Sequence, residues 1–207
     1  MKVAVIGTGN MGTALARGIA GADHELIVGA RNVGKATALA KEIGSQAEAG
    51  GISAAIKAAD LVVMALPYEA NLAALKDVDA SGKILVDVSN PITADFKDLI
   101  VGHTTSAAEE LQARAPGARV VKAFNTIFSA LLPSAARNGT ALQVFLASDD
   151  ADARKAVESV VRAMGFEPVD AGPLRNSRFL EPMGEMNIHF GFFLGWGTVA
   201  APVWQRV

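Results

Sequence analysis

The sequence predicts an α/β fold, a Rossmann-like, doubly wound and mostly parallel sheet closed by a short C-terminal apolar segment. Three observations predict it. Apolar runs recur along the chain with helix-forming stretches between them, the first run leads straight into a glycine fingerprint, and the runs are apolar throughout, as strands covered on both faces are. The chain has 207 residues, of which 51% are hydrophobic, enough to bury a large core.

The first strand spans 1–6 and opens into Gly7-Thr8-Gly9-Asn10-Met11-Gly12, then a helix over 13–21. The GxGxxG spacing suits a dinucleotide. Gly7 permits the tight turn, Gly9 lets the backbone approach a pyrophosphate, Gly12 allows close helix packing, and the helix N-terminus offers free N–H groups. A second strand is expected over 25–29. An NAD site would carry an acid at its end, about 20 residues past the fingerprint, to bind the ribose hydroxyls. Here the chain reads Ala30-Arg31-Asn32-Val33-Gly34-Lys35. Arg31 can hold a 2′-phosphate with its forked donors and Lys35 can add a point charge, so NADP(H) is expected as cofactor.

Helices are then expected over 35–43, 52–59, 70–77, 106–115 and 150–165, where Ala, Leu, Lys and Glu dominate. Asp149 and Asp150 suit a helix start. Strands are expected over 61–66, 83–88, 119–123 and 142–146. Ligands of such a sheet bind beyond the C-terminal strand ends, which makes candidates of Leu66, Pro67, Ser89, Asn90, Pro91, Ala123 and Asn125, with Asn71 and Asn32 beside them.

Formal net charge is −2, so no basic surface points to nucleic acid, and the chain has no cysteine, which excludes disulfides and thiol chemistry. The stretch 188–204 contains three glycines, a proline and His189. It is expected to be buried or interfacial and to form no membrane span. With no leader evident, a cytoplasmic location is expected.

Several segments together resemble the NADP-dependent reductases of the deazaflavin coenzyme F-420. They are the fingerprint, Val28-Gly29-Ala30-Arg31 with Lys35, Leu66-Pro67-Tyr68-Glu69, and Asp170-Ala171-Gly172-Pro173-Leu174-Arg175-Asn176-Ser177-Arg178. Val120-Val121-Lys122-Ala123-Phe124-Asn125-Thr126 and the segment 163–170 are also similar to the oxidoreductase domain of six-transmembrane metalloreductases. The resemblance implies hydride transfer between NADP(H) and a flavin-type acceptor, with coenzyme F-420 foremost and a flavin or ferric acceptor as alternative. It implies the pyrophosphate on Thr8 to Met11, the 2′-phosphate on Ala30, Arg31 and Lys35, and the acceptor near Pro173, Asn176, Arg178, Met183 and His189. Residues 1–172 would form the nucleotide domain and 173–207 would complete the acceptor site. The chain departs from the family at Ala30, where a serine is expected, and in its Phe- and Trp-rich tail.

Such transfer needs no protein acid or base, since the rings carry the reaction, and no catalytic residue is expected. A non-catalytic NADPH-binding module is the other class to weigh. β-Hydroxyacid dehydrogenases and pyrroline-carboxylate reductases share the fingerprint but continue into a large helical domain, for which the stretch after Gly172 is too short. The apolar residues after Arg178 exceed what one short helix can hide, so a homodimer is expected.

Overall fold

A computed structural model describes residues 1–22, 24–205 and 207. Strand β1 (Lys2–Ile6) is buried after its first residue because it pairs in parallel with a neighbour on each side, β2 (Glu25–Gly29) and β4 (Leu61–Met64). The sheet extends through β3 (Ala47–Gly50) on one side and β5 (Ile84–Asp87) and β6 (Arg119–Lys122) on the other, in the order β3-β2-β1-β4-β5-β6, all parallel. Strand order reverses between β1 and β4. A crevice therefore opens beyond their C-terminal ends, where β1 gives way to the glycine turn.

Helices cover both faces. Helix α1 (Asn10–Ala20) buries Gly12, Leu15, Ala16, Ile19 and Ala20, a 3.6-period stripe. It shares one core layer with α2 (Val33–Ile43) and α6 (Ala151–Ala163). Asp150 caps α6, accepting from Ala153 N–H at 2.7 Å. The opposite layer holds α3 (Ile52–Ala58) and α5 (Ala107–Arg114), with Ile56, Leu85 and Leu111 at its centre. Ser106 caps α5 by accepting from Glu109 N–H at 3.2 Å.

Two strands escape sequence patterning. Strand β3 reads Ala-Glu-Ala-Gly, with neither alternation nor branched residues, and exists because β2 offers it an edge. Strands β7 (Gln143–Leu146) and β8 (Glu167–Asp170) pair in parallel, and β8 tolerates Pro168 at a sheet edge. A single antiparallel bridge between Lys122 and Ala147 joins this pair to β6.

Most element ends shift from expectation by one to three residues. The fourth helix, α4 (Tyr68–Ala74), begins two residues before the expected 70 and stops before 77. Helix α7 (Ser177–Ile188) continues into one π-helical turn, His189–Phe193, and then irregular chain. The expectation of a buried or interfacial tail fails for burial. Phe192 is 61% exposed, Trp196 60% and Trp204 72%, because the π turn and the chain past it run over the surface. No helix among the described residues is long and apolar enough to cross a membrane.

Candidate active site

The glycine turn is built against backbone. Gly7 has φ +120°, donates its N–H to Gly29 O at 2.8 Å, and a Cβ there would lie 2.5 Å from Ala65 O. A Cβ on Gly12 would lie 2.2 Å from Gly7 O. Gly9 differs: a Cβ there would meet nothing within 4 Å. Its open side faces the cleft rather than the protein, and no side chain caps α1, so the first N–H groups of the helix are presented outward. That arrangement fits a pyrophosphate.

On one side of the glycine turn a cavity of about 480 Å³ lies between α3 and α4, lined by Arg31, Ile52, Ser53, Leu66, Pro67 and Ala70 among others. Arg31 and Lys35 are exposed, and among the described residues neither pairs with a carboxylate. Both cations are free to meet a phosphate. The Asn32 side chain instead caps α2, accepting from Lys35 N–H at 3.1 Å.

On the other side of the glycine turn the cleft widens to about 800 Å³, walled by Gly9, Asn10, Pro67, Tyr68, Asn90 and Phe96 among others. Its neighbour of about 220 Å³ shares Asn10, Met11, Val88 and Asn90 and adds Asn125, Gly184, Asn187 and Phe192. Asn90 and Asn125 form a reciprocal pair. Asn125 Nδ2 donates to Asn90 Oδ1 at 2.9 Å and to Leu180 O at 2.8 Å, and Asn90 Nδ2 donates to Asn125 O at 2.8 Å. Asn125 is 6% exposed, yet its Oδ1 accepts no hydrogen bond among the described residues. A donor brought by a ligand would satisfy it. Helix α7 reaches this pair through Gly184, where a Cβ would fall 2.7 Å from both amide atoms of Asn90.

Beneath the floor lies a buried ionic network. The Lys122 ammonium, fully buried, donates to Asp87 Oδ2 at 2.8 Å, Glu181 Oε1 at 2.7 Å and Ser89 O at 2.6 Å. Asp87 Oδ1 accepts from Ser89 N–H and Oγ–H, and Glu181 accepts from the N–H groups of Ala107 and Ala108. Desolvation alone would push the Lys122 pKa down, but the charges of Asp87 and Glu181 outweigh it and raise it. Burial raises the Glu181 carboxyl, with Lys122 opposing. The network ties β5, β6, α5 and α7 into one frame. Removing a single partner would leave a buried charge unpaired, which costs about 3–5 kcal/mol.

The site can therefore bind a dinucleotide along the strand ends and a second flat molecule beside it. Residues 2–91 match the family model described as NADP oxidoreductase, coenzyme F-420-dependent. An F-420-dependent NADP reductase of Methanocaldococcus jannaschii is 30% identical over 198 residues, covering 87% of this chain and 88% of that protein. The chain belongs to the F-420-dependent NADP reductase family. The reductase is thus an NADP-dependent oxidoreductase with NADP(H) as its cofactor. Metalloreductase STEAP3 of Rattus norvegicus is 34% identical over 182 residues, 87% of this chain but 36% of that protein. Among solved structures, a candidate F-420-dependent NADP reductase of Arthrobacter is 29% identical, with TM-score 0.84, 94% of this chain covered and 95% of that one.

Most of the residues expected to bind the nucleotide come together around the glycine turn, but not all of them touch the cleft. Asn71 is 2% exposed and staples the β4 exit, accepting from Leu66 N–H at 3.3 Å and donating to Met64 O at 3.2 Å. Ala30, Pro91 and Ala123 are buried beneath the surface that Arg31, Asn90 and Asn125 present. None of the five expected acceptor residues lines the two cavities. Pro173 precedes a 3-10 turn, and Asn176 Nδ2 donates to Ala171 O at 2.6 Å within that turn. Arg178 clamps Glu109 bidentately at 2.8 and 2.6 Å. Met183 packs on Phe145, Ala147 and Leu180, while His189 stacks on Phe193 and pairs with Glu185 at 3.2 Å. The two cavities are lined instead by Tyr68, Phe96, Phe128, Gly184, Asn187 and Phe192, of which only Tyr68 stood in a segment that the sequence reading tied to the site. One signal was available for the network: Lys122 interrupts an apolar strand, and a lysine is seldom fully buried unless paired.

Proposed function

We propose that the reductase transfers a hydride between NADP(H) and a flavin-type ring, the deazaflavin of coenzyme F-420 or a flavin. The observation that carries this reading is the continuity of the cleft. The cavity beside the glycine turn opens directly into the aromatic-walled one, and both share Asn10, Met11, Val88 and Asn90, so two flat rings can lie face to face there. The family names support the ring class.

In this reading Gly7 to Gly12 hold the pyrophosphate at the α1 N-terminus, and Arg31 and Lys35 clamp the 2′-phosphate. Leu66, Pro67 and Ser89 flank the dinucleotide. Asn90 and Asn125, locked by each other, orient the ring end. Phe128 and Phe192, edge-to-face at 5.8 Å, exclude water. Residues 1–172 carry the nucleotide, and 173–207 complete the acceptor side through Gly184 and Asn187. When bound, NADPH supplies two electrons and a proton as hydride to the acceptor ring, which takes a second proton from solvent. No side chain needs to relay a proton. A ferric acceptor is the second reading, favoured by the similarity to the metalloreductase.

The test uses NADPH carrying deuterium at the transferred position. Label should pass directly to the reduced carbon of a deazaflavin, read by mass spectrometry. Solvent hydrogen at that carbon would overturn direct transfer, and tight NADPH binding with no oxidation by any ring or ferric acceptor would leave a binding module.

A further inference from the structure

Of the described residues that line the two cavities beside the glycine turn, Asn125 alone carries a buried side-chain atom with no hydrogen-bond partner, its Oδ1. The neighbours fix which amide atom that is. Asn90 Nδ2 donates to Asn125 O, so Asn90 turns its own Oδ1 toward Asn125. Asn125 Nδ2 then spends both hydrogens, one on Asn90 Oδ1 and one on Leu180 O. Turning the Asn125 amide over would set its oxygen against two oxygens, so Oδ1 is an acceptor held in one orientation. The pair is also braced from beneath. Lys122 binds Ser89 O and Glu181, the chain neighbours of Asn90 and Leu180, with one ammonium. A buried acceptor without a donor is destabilising, and a ligand that supplies an N–H recovers that loss on binding.

The cavity that Asn125 lines identifies the donor. It holds about 220 Å³, no charged side chain lines it among the described residues, and Gly184 keeps its α7 side free of a side chain. Asn10 and Met11, in the first turn of α1 where the pyrophosphate is seated, line it as well. One ribose beyond the pyrophosphate, NADP(H) ends in a single pyridine ring with a neutral carboxamide that carries two N–H donors. A three-ring acceptor suits the larger space of about 800 Å³ instead.

We infer that Asn125 Oδ1 accepts an N–H of the nicotinamide carboxamide, which makes Asn125 the residue that selects an amide-bearing pyridine and fixes which face of that ring meets the acceptor. Rotating the pyridine about its bond to ribose would carry the carboxamide away from Asn125, so only one of the two hydrogens at the transferring carbon points toward the larger cavity. This choice of face rests on the hydride-transfer reading above, whereas the contact itself can be measured by binding alone.

The experiment is calorimetry on the full chain with NADP+ and its 3-acetylpyridine analogue, in which a methyl ketone keeps the carbonyl and removes both N–H donors. The unmutated protein should bind the analogue about tenfold more weakly, as the loss of one hydrogen bond to a buried acceptor dictates. Asn125→Leu, close in shape, should erase that preference and bring NADP+ down to the level of the analogue. Adenosine 2′,5′-bisphosphate, which lacks the nicotinamide half, should bind the variant as it binds the parent and so report an intact nucleotide site. With coenzyme F-420 as acceptor, the unmutated protein should take hydride from one face of stereospecifically deuterated NADPH, and the variant should mix the two faces. Equal affinity for NADP+ and the analogue in the unmutated protein, or a preference that survives Asn125→Leu, would overturn the inference and leave hydride transfer to its own test. The first comparison decides the matter even where the variant does not fold. A tenfold preference in a protein whose NADPH no ring oxidises would uphold the carboxamide contact and overturn the hydride-transfer reading.

Discussion

Arg31 stands where an NAD-binding chain would place an acid, and the structure leaves its guanidinium exposed at the rim of the cavity between α3 and α4. Arg31→Ala should therefore remove about 1.5–3 kcal/mol of the NADPH-over-NADH preference, the range for a hydrogen bond to a charged group, as read by calorimetry with both cofactors. The glycines separate by what surrounds them. At Gly18 an added Cβ would meet only Met164 Cε, the far end of a flexible side chain, at 2.5 Å. Gly18→Ala should be neutral or stabilising, since alanine gains up to about 1 kcal/mol of helix propensity. Gly184→Ala drives a methyl into the locked Asn90–Asn125 pair. It should cost about 1–3 kcal/mol in denaturant unfolding and lower kcat more than NADPH affinity.

Among the elements, α7 decides most. Its sequence, with Pro182 inside and polar residues at buried positions, has a weak helical pattern, yet it crosses the strand ends and presents Glu181 to Lys122 and Gly184 to Asn90. Arg178 fastens its first turn to α5. The hydrogen bonds from Arg178 hold the Glu109 carboxyl below the usual carboxylate range. A depressed acid contributes stability that is present above its unfolded pKa, about 4.3, and is lost as pH falls through the folded value. Arg178→Met should accordingly lower Tm near neutral pH, and in thermal melts across pH the gap from the parent should close on acidification. Strands β3 and β8 show the converse case, in which a partner edge imposes extended structure on residues with little preference for it.

Across the whole molecule, the exposed side chains of Phe179, Phe192, Leu194, Trp196, Val203 and Trp204 are concentrated in and after α7. We propose that a two-fold interface covers them, because apolar patches beyond about 300–600 Å² are rare on soluble monomers. Light scattering at micromolar concentration should give twice the 21.4 kDa chain mass. A monomeric mass for the intact chain would refute the interface.

Local chemistry made half of the site legible in the sequence. A glycine turn after an apolar strand is a backbone requirement, so Gly7 and Gly12 could be assigned from spacing alone, and Arg31 from its distance beyond them. Fully buried strands announce themselves as apolar runs, and the parallel sheet followed from their alternation with helices. The acceptor side was not legible, because it is assembled by contacts 35 to 74 residues apart: Asn90 with Asn125, Leu180 with Asn125, Lys122 with Glu181 and Glu181 with Ala107. Periodicity carries no information about such pairs. Whether Asn71 faces a ligand or staples a strand, and whether Arg178 meets an acceptor or Glu109, is a question of where α4 and α7 dock, and only the tertiary structure decides it.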